Sequence, residues 1–201
     1  MSDVTSESFN KDTAHHVLTV LRDEPPYRHL RFGKPGTICY SVEILTFPGY
    51  LVVVGDMGSF TFRRVHDMFT FFRPPQGDPD RINLPYWHEK LVATDRCDGA
   101  TRFSWEIFKR AVLDAARQHL DLPDDSELPS DIMEALDNDV FHCEQNEYAA
   151  REAVESFEHE KLKFHDFWEL DLHEYTSWFI WICYAIVRAI ELYDAREATS
   201  A

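Results

Sequence analysis

The sequence predicts an α+β fold in which a small antiparallel sheet in the N-terminal third packs against a larger helical body. Between residues 27 and 64, short β-branched and aromatic runs are separated by turns that contain glycine and proline. After residue 64, apolar residues recur at helical spacing in several segments. A chain of 201 residues can bury a core without metals or disulfides, so we expect one domain over residues 1–201.

The N-terminal elements follow from local patterns. Residues 1–13 are polar and acidic, and we expect them to be mobile. Ala14, Val17, Leu18 and Leu21 recur at helical spacing, which predicts a first helix that stops before Pro25. The sheet region 27–64 follows, with strands predicted at residues 28–32, 38–47 and 50–54.

Residues 55–58, Gly-Asp-Met-Gly, raise the question of a phosphate-binding loop because two glycines follow an apolar run. A phosphate loop opens a helix and carries a Lys-Ser/Thr pair, whereas the residues after Gly58 alternate with period two. We therefore interpret this segment as a hairpin turn. Its glycines supply positive φ, and Asp56 bonds to the turn backbone.

Residues 65–196 are predicted to be mostly helical. One short helix is predicted from Val65, Met68, Phe69 and Phe72, and another from Tyr86, Trp87, Leu91 and Val92. A longer helix runs from the N-cap Ser104 to a point before Pro123. The arginines near the short helices, Arg63, Arg64 and Arg73, lie among aromatic residues, a pattern that can bind single-stranded nucleic acid. We prefer the interpretation that they pair with acids of the same fold.

Two further helices are predicted from capping patterns. Asp131 followed by Glu134 predicts a capped helix in the acidic part of the chain. The last helix is predicted to begin at Asp171, with Glu174 as its third-position partner, and to end near Tyr193. Its middle is apolar nearly all round, so other elements or a second subunit should enclose it.

Acidic residues are concentrated in one part of the chain. The formal net charge is −16, from 20 Lys and Arg against 36 Asp and Glu. Residues 121–160 hold fourteen of the acids and one base, Arg151, which accounts for −13 of that charge. Such a balance argues against direct nucleic-acid binding, because phosphates must be met by cations, and it favours a basic protein partner.

Part of this acidity is predicted to form a stripe on one helix. At the helical rotation per residue, Glu144, Glu147, Glu155 and Glu158 fall within an arc of about 80°. They lie beside a predicted buried face of Ala150, Ala153, Val154 and Phe157. Like charges three or four residues apart oppose helix formation, so a solvated face and a functional anionic surface both remain open as interpretations.

Cellular location is predicted from what the sequence lacks. The first residues have neither the cationic start nor the apolar stretch of a signal peptide. The four cysteines are too far apart for a Cys-x-x-Cys motif, which favours reduced thiols. The apolar run 178–187 is about half the length of a membrane-spanning helix. We expect a cytoplasmic protein without membrane contact.

The histidines and acids of the chain raise the question of a metal-binding site. His88-Glu89 and His173-Glu174 begin like the zinc motif H-E-x-x-H but lack its second histidine. The richest local group is His159, Glu160, His165, Asp166, Glu169 and His173. Its spacing is irregular, so we favour capping or surface roles for these residues over a metal site.

Three blocks of the chain carry a resemblance to known proteins: GDMGSFTFRRVHDMFTFFR (55–73), LPYWHEKLVATDRCDGATRFSWEIFKR (84–110) and FHDFWELDLHEYTSWFIWICYAIVRAIELYD (164–194). They resemble a family of small uncharacterised proteins of phages and prophages, and the likeness is weakest over residues 121–160. Several anti-CRISPR proteins look like anionic decoys for DNA-binding surfaces, which by analogy implies an inhibitor of host machinery. If the blocks mark a site, the resemblance implies these site residues: Asp56, Arg63, Arg64, Trp87, Glu89, Lys90, His165, Asp166 and Glu169. The alternative is that the same residues hold the fold.

These observations favour a non-enzymatic, phage-encoded acidic inhibitor, a DNA mimic of the anti-CRISPR kind. Its expected partner is the basic nucleic-acid-binding surface of a host defence complex in the host-cell cytoplasm. We expect no cofactor, no metal and no direct contact with nucleic acid. The carboxylates expected to bind the partner are Asp124, Asp125, Glu127, Asp131, Glu134, Asp137, Asp139, Glu144, Glu147, Glu155 and Glu158.

Two other functions remain open from the sequence. One is a small metal- or nucleotide-dependent enzyme that uses the His159–His173 group or the turn at Gly55. The other is an assembly protein that forms a homodimer through Trp178 and Trp181 of its C-terminal helix.

Overall fold

The computed structural model describes residues 4–73, 82–95, 99–142, 146–159 and 162–200. The chain forms two compact units. Unit 1 contains residues 1–101 and 175–201, and unit 2 contains residues 102–174. Compact units of this size can be parts of one domain, so the single-domain interpretation stays a prediction.

Unit 1 is built on an antiparallel sheet, which confirms the α+β fold class. Six strands of the described chain lie side by side in sequence order. They are β1 (Val17–Glu24), β2 (Tyr27–Gly33), β3 (Val42–Phe47), β4 (Tyr50–Gly55), β5 (Gly58–Arg63) and β6 (Leu91–Thr94). Burial alternates along β2 to β5, so one face of the sheet is apolar and enclosed while the other is more exposed.

Helices complete the core of unit 1. They are α1 (Ser6–Asp12), α2 (Met68–Phe72), α3 (Leu84–His88) and α7 (Ser177–Ser200). The side chains of Phe179, Ile182, Ile186 and Ile190 on α7 are fully or almost fully buried in the same apolar cluster as the inner sheet residues. The expected enclosure of the apolar C-terminal helix is therefore provided within this chain.

The N-terminal segment differs from the sequence prediction. The segment predicted as a helix around residues 14–21 is the edge strand β1, and Pro25 lies in the turn to β2. The helix occurs earlier, in α1, within residues expected to be mobile. Phe9 packs helix α1 against the core, because its side chain is 2% exposed and contacts Trp181, with ring centroids 5.2 Å apart. Leu18 and Val20 pack against the core at strand spacing.

A buried ion pair joins β2 to α2 in unit 1. The Arg28 guanidinium, 5% exposed, donates two hydrogen bonds to the Asp67 carboxylate at 2.9 and 3.0 Å. Asp67 also accepts a hydrogen bond from the Phe69 N–H as the N-cap of α2. Burial by itself raises the pKa of Asp67, but these hydrogen bonds and the Arg28 charge outweigh it, so the pKa lies below its ordinary value.

The C-terminal helix begins later than predicted. Residues 173–175 form a short strand, β10, and α7 begins at Ser177. Thr176 caps α7, since its Oγ1 accepts a hydrogen bond from the Phe179 N–H at 3.2 Å. The predicted cap at Asp171 was wrong because Glu174 instead forms an ion pair with Arg102 at 2.7 Å.

Unit 2 is mainly helical. Its helices are α4 (Trp105–His119), α5 (Ser130–Asp139) and α6 (Glu147–Ser156), followed by the short strands β8 (Glu158–His159) and β9 (Leu162–Lys163) and a 3₁₀ turn at Phe167–Glu169. A short strand β7 (Thr101–Phe103) pairs with β10. The unit has its own apolar cluster, which includes Phe108, Val112, Leu136 and Val154. Ser104 caps α4 and α2 lies where a short helix was predicted. The helix predicted from Tyr86 to Val92 was right only in part, because α3 ends at His88 and Leu91 and Val92 belong to strand β6, which pairs with β5.

Candidate partner-binding surface

The two units differ sharply in charge. Unit 2 contains twenty Asp and Glu against seven Lys and Arg, a net charge of −13. Unit 1 contains sixteen acids against thirteen bases, a net charge of −3. A unit of this size with such an excess of carboxylates attracts cations over a distance set by the ionic strength.

The segment after α4 and helix α5 presents most of the predicted acids. Asp124, Asp125 and Glu127 are exposed in the segment that joins the two helices. This segment is tied to α4 because the Arg117 Nε donates a hydrogen bond to the Ser126 carbonyl at 2.8 Å. On α5, the buried residues Ile132 and Leu136 hold the helix in the core. The exposed side of α5 carries Asp131, Glu134, Asp137 and Asp139.

Two open grooves flank α4, and acids line both. The first has a volume of about 670 Å³ and is bordered by Glu127, Glu134 and Asp137, with Arg117 and apolar side chains beside them. The second has a volume of about 940 Å³. Its acidic lining residues are Asp114, Asp121, Asp124 and Asp125. Seven carboxylates of unit 2 thus line the two grooves beside α4.

Ion pairing separates the ten predicted acids that the structure describes into two groups. Glu147 is paired with Arg151 at 2.9 Å and with His173 at 3.2 Å. Asp131 lies 3.6 Å from His159, and Glu158 lies 3.9 Å from Lys163. Within the described residues, seven predicted acids have no ion pair: Asp124, Asp125, Glu127, Glu134, Asp137, Asp139 and Glu155.

The four-residue stripe predicted from Glu144 to Glu158 is not present as one helical face. Helix α6 begins after its N-cap Asn146 and ends at Ser156, and Phe157 is extended. Glu158 therefore lies on strand β8, Glu147 is paired within the unit, and Glu144 lies outside the described residues. The buried side chain of Phe157 explains the break, because it turns the chain into the core of unit 2.

The capping box predicted at the start of α5 was also wrong. Helix α5 begins at Ser130, one residue before the predicted cap Asp131, and Pro129 occupies the cap position. Within the described chain, no side chain caps this end of the helix. Asp131 instead lies in the first turn, where its negative charge is favourable to the helix dipole.

The histidine group does not converge on one point. His159 lies against Asp131, and His173 lies between Glu147 and Asp171. His165 borders a separate hollow. Among the described residues, which leave out Glu160, no three His, Cys, Asp or Glu side chains are arranged to hold a metal ion.

The turn at Gly55 is a hairpin connection, as the sequence predicts. Gly55 and Gly58 are paired across the β4–β5 hairpin, and Gly58 has a φ of 95°. Asp56 stabilises a neighbouring loop instead of its own turn, because its carboxylate accepts a hydrogen bond from the Tyr40 N–H at 2.9 Å. The segment continues into strand β5, so it has no helix N-terminus to offer a phosphate.

The residues singled out by the resemblance are divided between the two units. Six of them, Asp56 to Lys90, belong to unit 1 and three, His165 to Glu169, belong to unit 2. Trp87 is 6% exposed and belongs to the core. Glu89 and Lys90 pair with each other at 3.0 Å. Of the arginines near the aromatic residues, Arg73 pairs with Asp194 at 2.8 Å, the intramolecular role that we preferred.

Sequence reasoning missed the aromatic side chains at the surface of unit 2. Tyr148 is 78% exposed and Trp168 is 71% exposed. Tyr148 stands out only once the limits of α6 are known, because it then falls opposite the buried Ala150 and Val154. Trp168 lies next to the buried Phe167, and the sequence does not show which of two adjacent aromatic residues faces the solvent.

No family model, curated protein or solved structure matches the chain. No helix in the described ranges is long and apolar enough to cross a membrane. The function is therefore inferred from the geometry and charge of the two units.

Proposed function

We propose that the protein is a non-enzymatic acidic inhibitor whose unit 2 binds a basic, nucleic-acid-binding surface of another protein. The observation that carries the proposal is the set of seven exposed carboxylates without an ion pair in the described chain. Six of them lie on the segment after α4 and on α5. Each carboxylate takes the place of a phosphate.

The physical basis is electrostatic complementarity. A fixed group of like charges steers a basic partner towards the correct orientation and raises the association rate, most strongly at low salt. Four of the seven charges are displayed on helices anchored by Ile132, Leu136 and Val154, and the segment that carries the other three is tied to α4 by the hydrogen bond from Arg117 to Ser126. A surface that occupies cationic side chains in this way competes with nucleic acid for the same site.

The resemblance to phage and prophage proteins supports a host defence complex as the owner of that basic surface, and hence action in the host cytoplasm. An inhibitor of this kind needs no cofactor. No specific observation favours the metal- or nucleotide-dependent enzyme or the assembly protein, the two other functions left open by the sequence. The histidines do not converge among the described residues, and Trp181 of the dimer hypothesis is 2% exposed and packed in the core of unit 1.

The proposal is tested by affinity capture from a bacterial lysate at about 50 mM and about 500 mM salt. The captured proteins are identified, purified and assayed for DNA or RNA binding with and without the acidic protein. We expect nucleic-acid-binding proteins that are captured only at low salt and that lose their nucleic acid as the acidic protein is added.

A matched pair of variants tests the surface itself. In the test variant, Glu127→Gln, Glu134→Gln and Asp137→Asn neutralise three acids of the first groove. In the control variant, Asp12→Asn, Glu24→Gln and Glu89→Gln neutralise three exposed acids of unit 1. Only the test variant should lose competition with nucleic acid. Equal loss in both variants, or capture that ignores salt, would show that the proposal is wrong.

A further inference from the structure

An exposed apolar patch lies in the acidic unit. It consists of Tyr148, Trp168 and Leu170, which are 78%, 71% and 42% exposed. Large aromatic side chains are mostly buried in proteins, and an exposed group of apolar residues bordered by polar ones marks binding surfaces. Within the described residues, none of these three side chains belongs to the apolar cluster of unit 2 or packs against it, so packing in that core does not explain them.

The backbone that carries Trp168 is held in place by Arg151 of α6. The guanidinium of Arg151 donates hydrogen bonds to the carbonyl oxygens of Phe167, Trp168 and Leu170 at 3.4, 3.2 and 3.1 Å. Phe167, 7% exposed, fixes the same turn to the core. An anchored aromatic side chain loses less conformational entropy on binding than one on a loose loop.

Two side chains of the patch, Trp168 and Leu170, border hollows that also contain unpaired carboxylates. Trp168 and Glu155 border the same hollow, which has a volume of about 370 Å³. Leu170 borders the second groove of α4, together with Asp124 and Asp125. On α6, Tyr148 and Glu155 are seven residues apart and therefore point in directions about 20° apart. Glu155 thus lies near Trp168, in a hollow that Arg151 and Lys163 also line, and Asp124 and Asp125 lie near Leu170.

We propose that Trp168 and Tyr148 are the apolar anchors of unit 2 and that they bind a basic protein segment which also carries apolar side chains. This inference rests on the proposed function and adds to it the kind of segment recognised. Interfaces commonly have an aromatic centre and a charged rim, and a few aromatic residues supply most of the affinity. The net charge of −13 on unit 2 favours a basic protein segment as the bound partner, because it repels nucleic acid and a second copy of the same unit.

The test uses two labelled peptides and fluorescence anisotropy at about 50 mM salt. The first peptide is built from Lys, Arg and Leu, and in the second every Leu is replaced by Ser. We expect the wild-type protein to bind the Leu peptide at least about fivefold more tightly. In Trp168→Ala and Tyr148→Ala this preference should shrink towards one, while binding of the Ser peptide stays unchanged. Glu134→Gln with Asp137→Asn should weaken the binding of both peptides.

The control variant is Ile38→Ser, because Ile38 is 76% exposed but belongs to unit 1. It should keep the preference for the Leu peptide. If Trp168→Ala also keeps the preference, the anchor proposal is wrong while the proposed function stands. If neither peptide binds at low salt, the proposed function is wrong and the anchors with it. If light scattering shows a wild-type dimer that Trp168→Ala dissociates, the patch binds a second copy and the proposal is overturned.

Discussion

Helix α5 should become more stable when the acids of its middle and end are neutralised. The variant is Glu134→Gln with Asp137→Asn and Asp139→Asn, all exposed positions. Glu134 lies three residues from both Asp131 and Asp137, so its neutralisation relieves two like-charge contacts worth about 0.2–0.5 kcal/mol each. Asp137 and Asp139 lie in or next to the last turn, which has no basic residue and where a negative charge opposes the helix dipole by about 0.3–1 kcal/mol each.

These contributions add to an increase in the free energy of unfolding of about 1–3 kcal/mol at low salt. Urea unfolding at about 20 mM salt measures it, and the gain should shrink at about 1 M salt because screening shortens the range of these interactions. The same variant should bind basic peptides less tightly. Acids that lower the stability of the fold but strengthen binding are expected at a partner-binding surface.

Asp131→Asn on the same helix provides a control of opposite sign. Asp131 lies in the first turn of α5 and 3.6 Å from His159, so its charge is favourable to folding. Its neutralisation removes a favourable dipole interaction of about 0.3–1 kcal/mol and also the repulsion with Glu134 of about 0.2–0.5 kcal/mol, so the free energy of unfolding should fall by at most about 0.8 kcal/mol at low salt. The reasoning is refuted if the triple variant is no more stable than the wild type at low salt, or if the two variants shift in the same direction.

Two further predictions concern unit 1. Asp67→Asn leaves the buried Arg28 guanidinium without its counter-charge and should lower the free energy of unfolding by about 2–3 kcal/mol at pH 7, since the Asp67 side chain is 30% exposed. Because folding lowers the pKa of Asp67, this difference is full above the ordinary value of 3.8 and is lost only as the pH falls through the lower pKa of the folded protein, which urea unfolding at pH 7 and at a series of pH values below 3.8 tests. Gly55→Ala should lower the free energy of unfolding by about 1–3 kcal/mol, because the added Cβ would meet the Ser41 carbonyl oxygen and lie 2.8 Å from Val42 Cα. An unchanged thermal unfolding temperature would contradict this prediction.

Much of the fold could be predicted because its signals are local. The alternation in strands β2 to β5, the hairpin at Gly55 and the cap at Ser104 each depend on a few neighbouring residues. Helical spacing at residues 14–21 was misleading because Leu18 and Val20 satisfy strand spacing equally well, and pairing with β2 decides between the two. Residues 173–175 form a strand for the same reason, since pairing with β7 outweighs the local capping pattern.

For the candidate surface, the amino-acid sequence by itself determined how many acids there are and that they cluster between residues 121 and 160, because charge is a property of composition. Only the tertiary structure decided which carboxylates remain without an ion pair. Glu147 is neutralised by Arg151 nearby and contacts His173, which is far away in the chain, while Glu134 and Asp137 are not paired among the described residues. Ion pairs and exposure depend on distances between chain segments, and folding alone sets those distances.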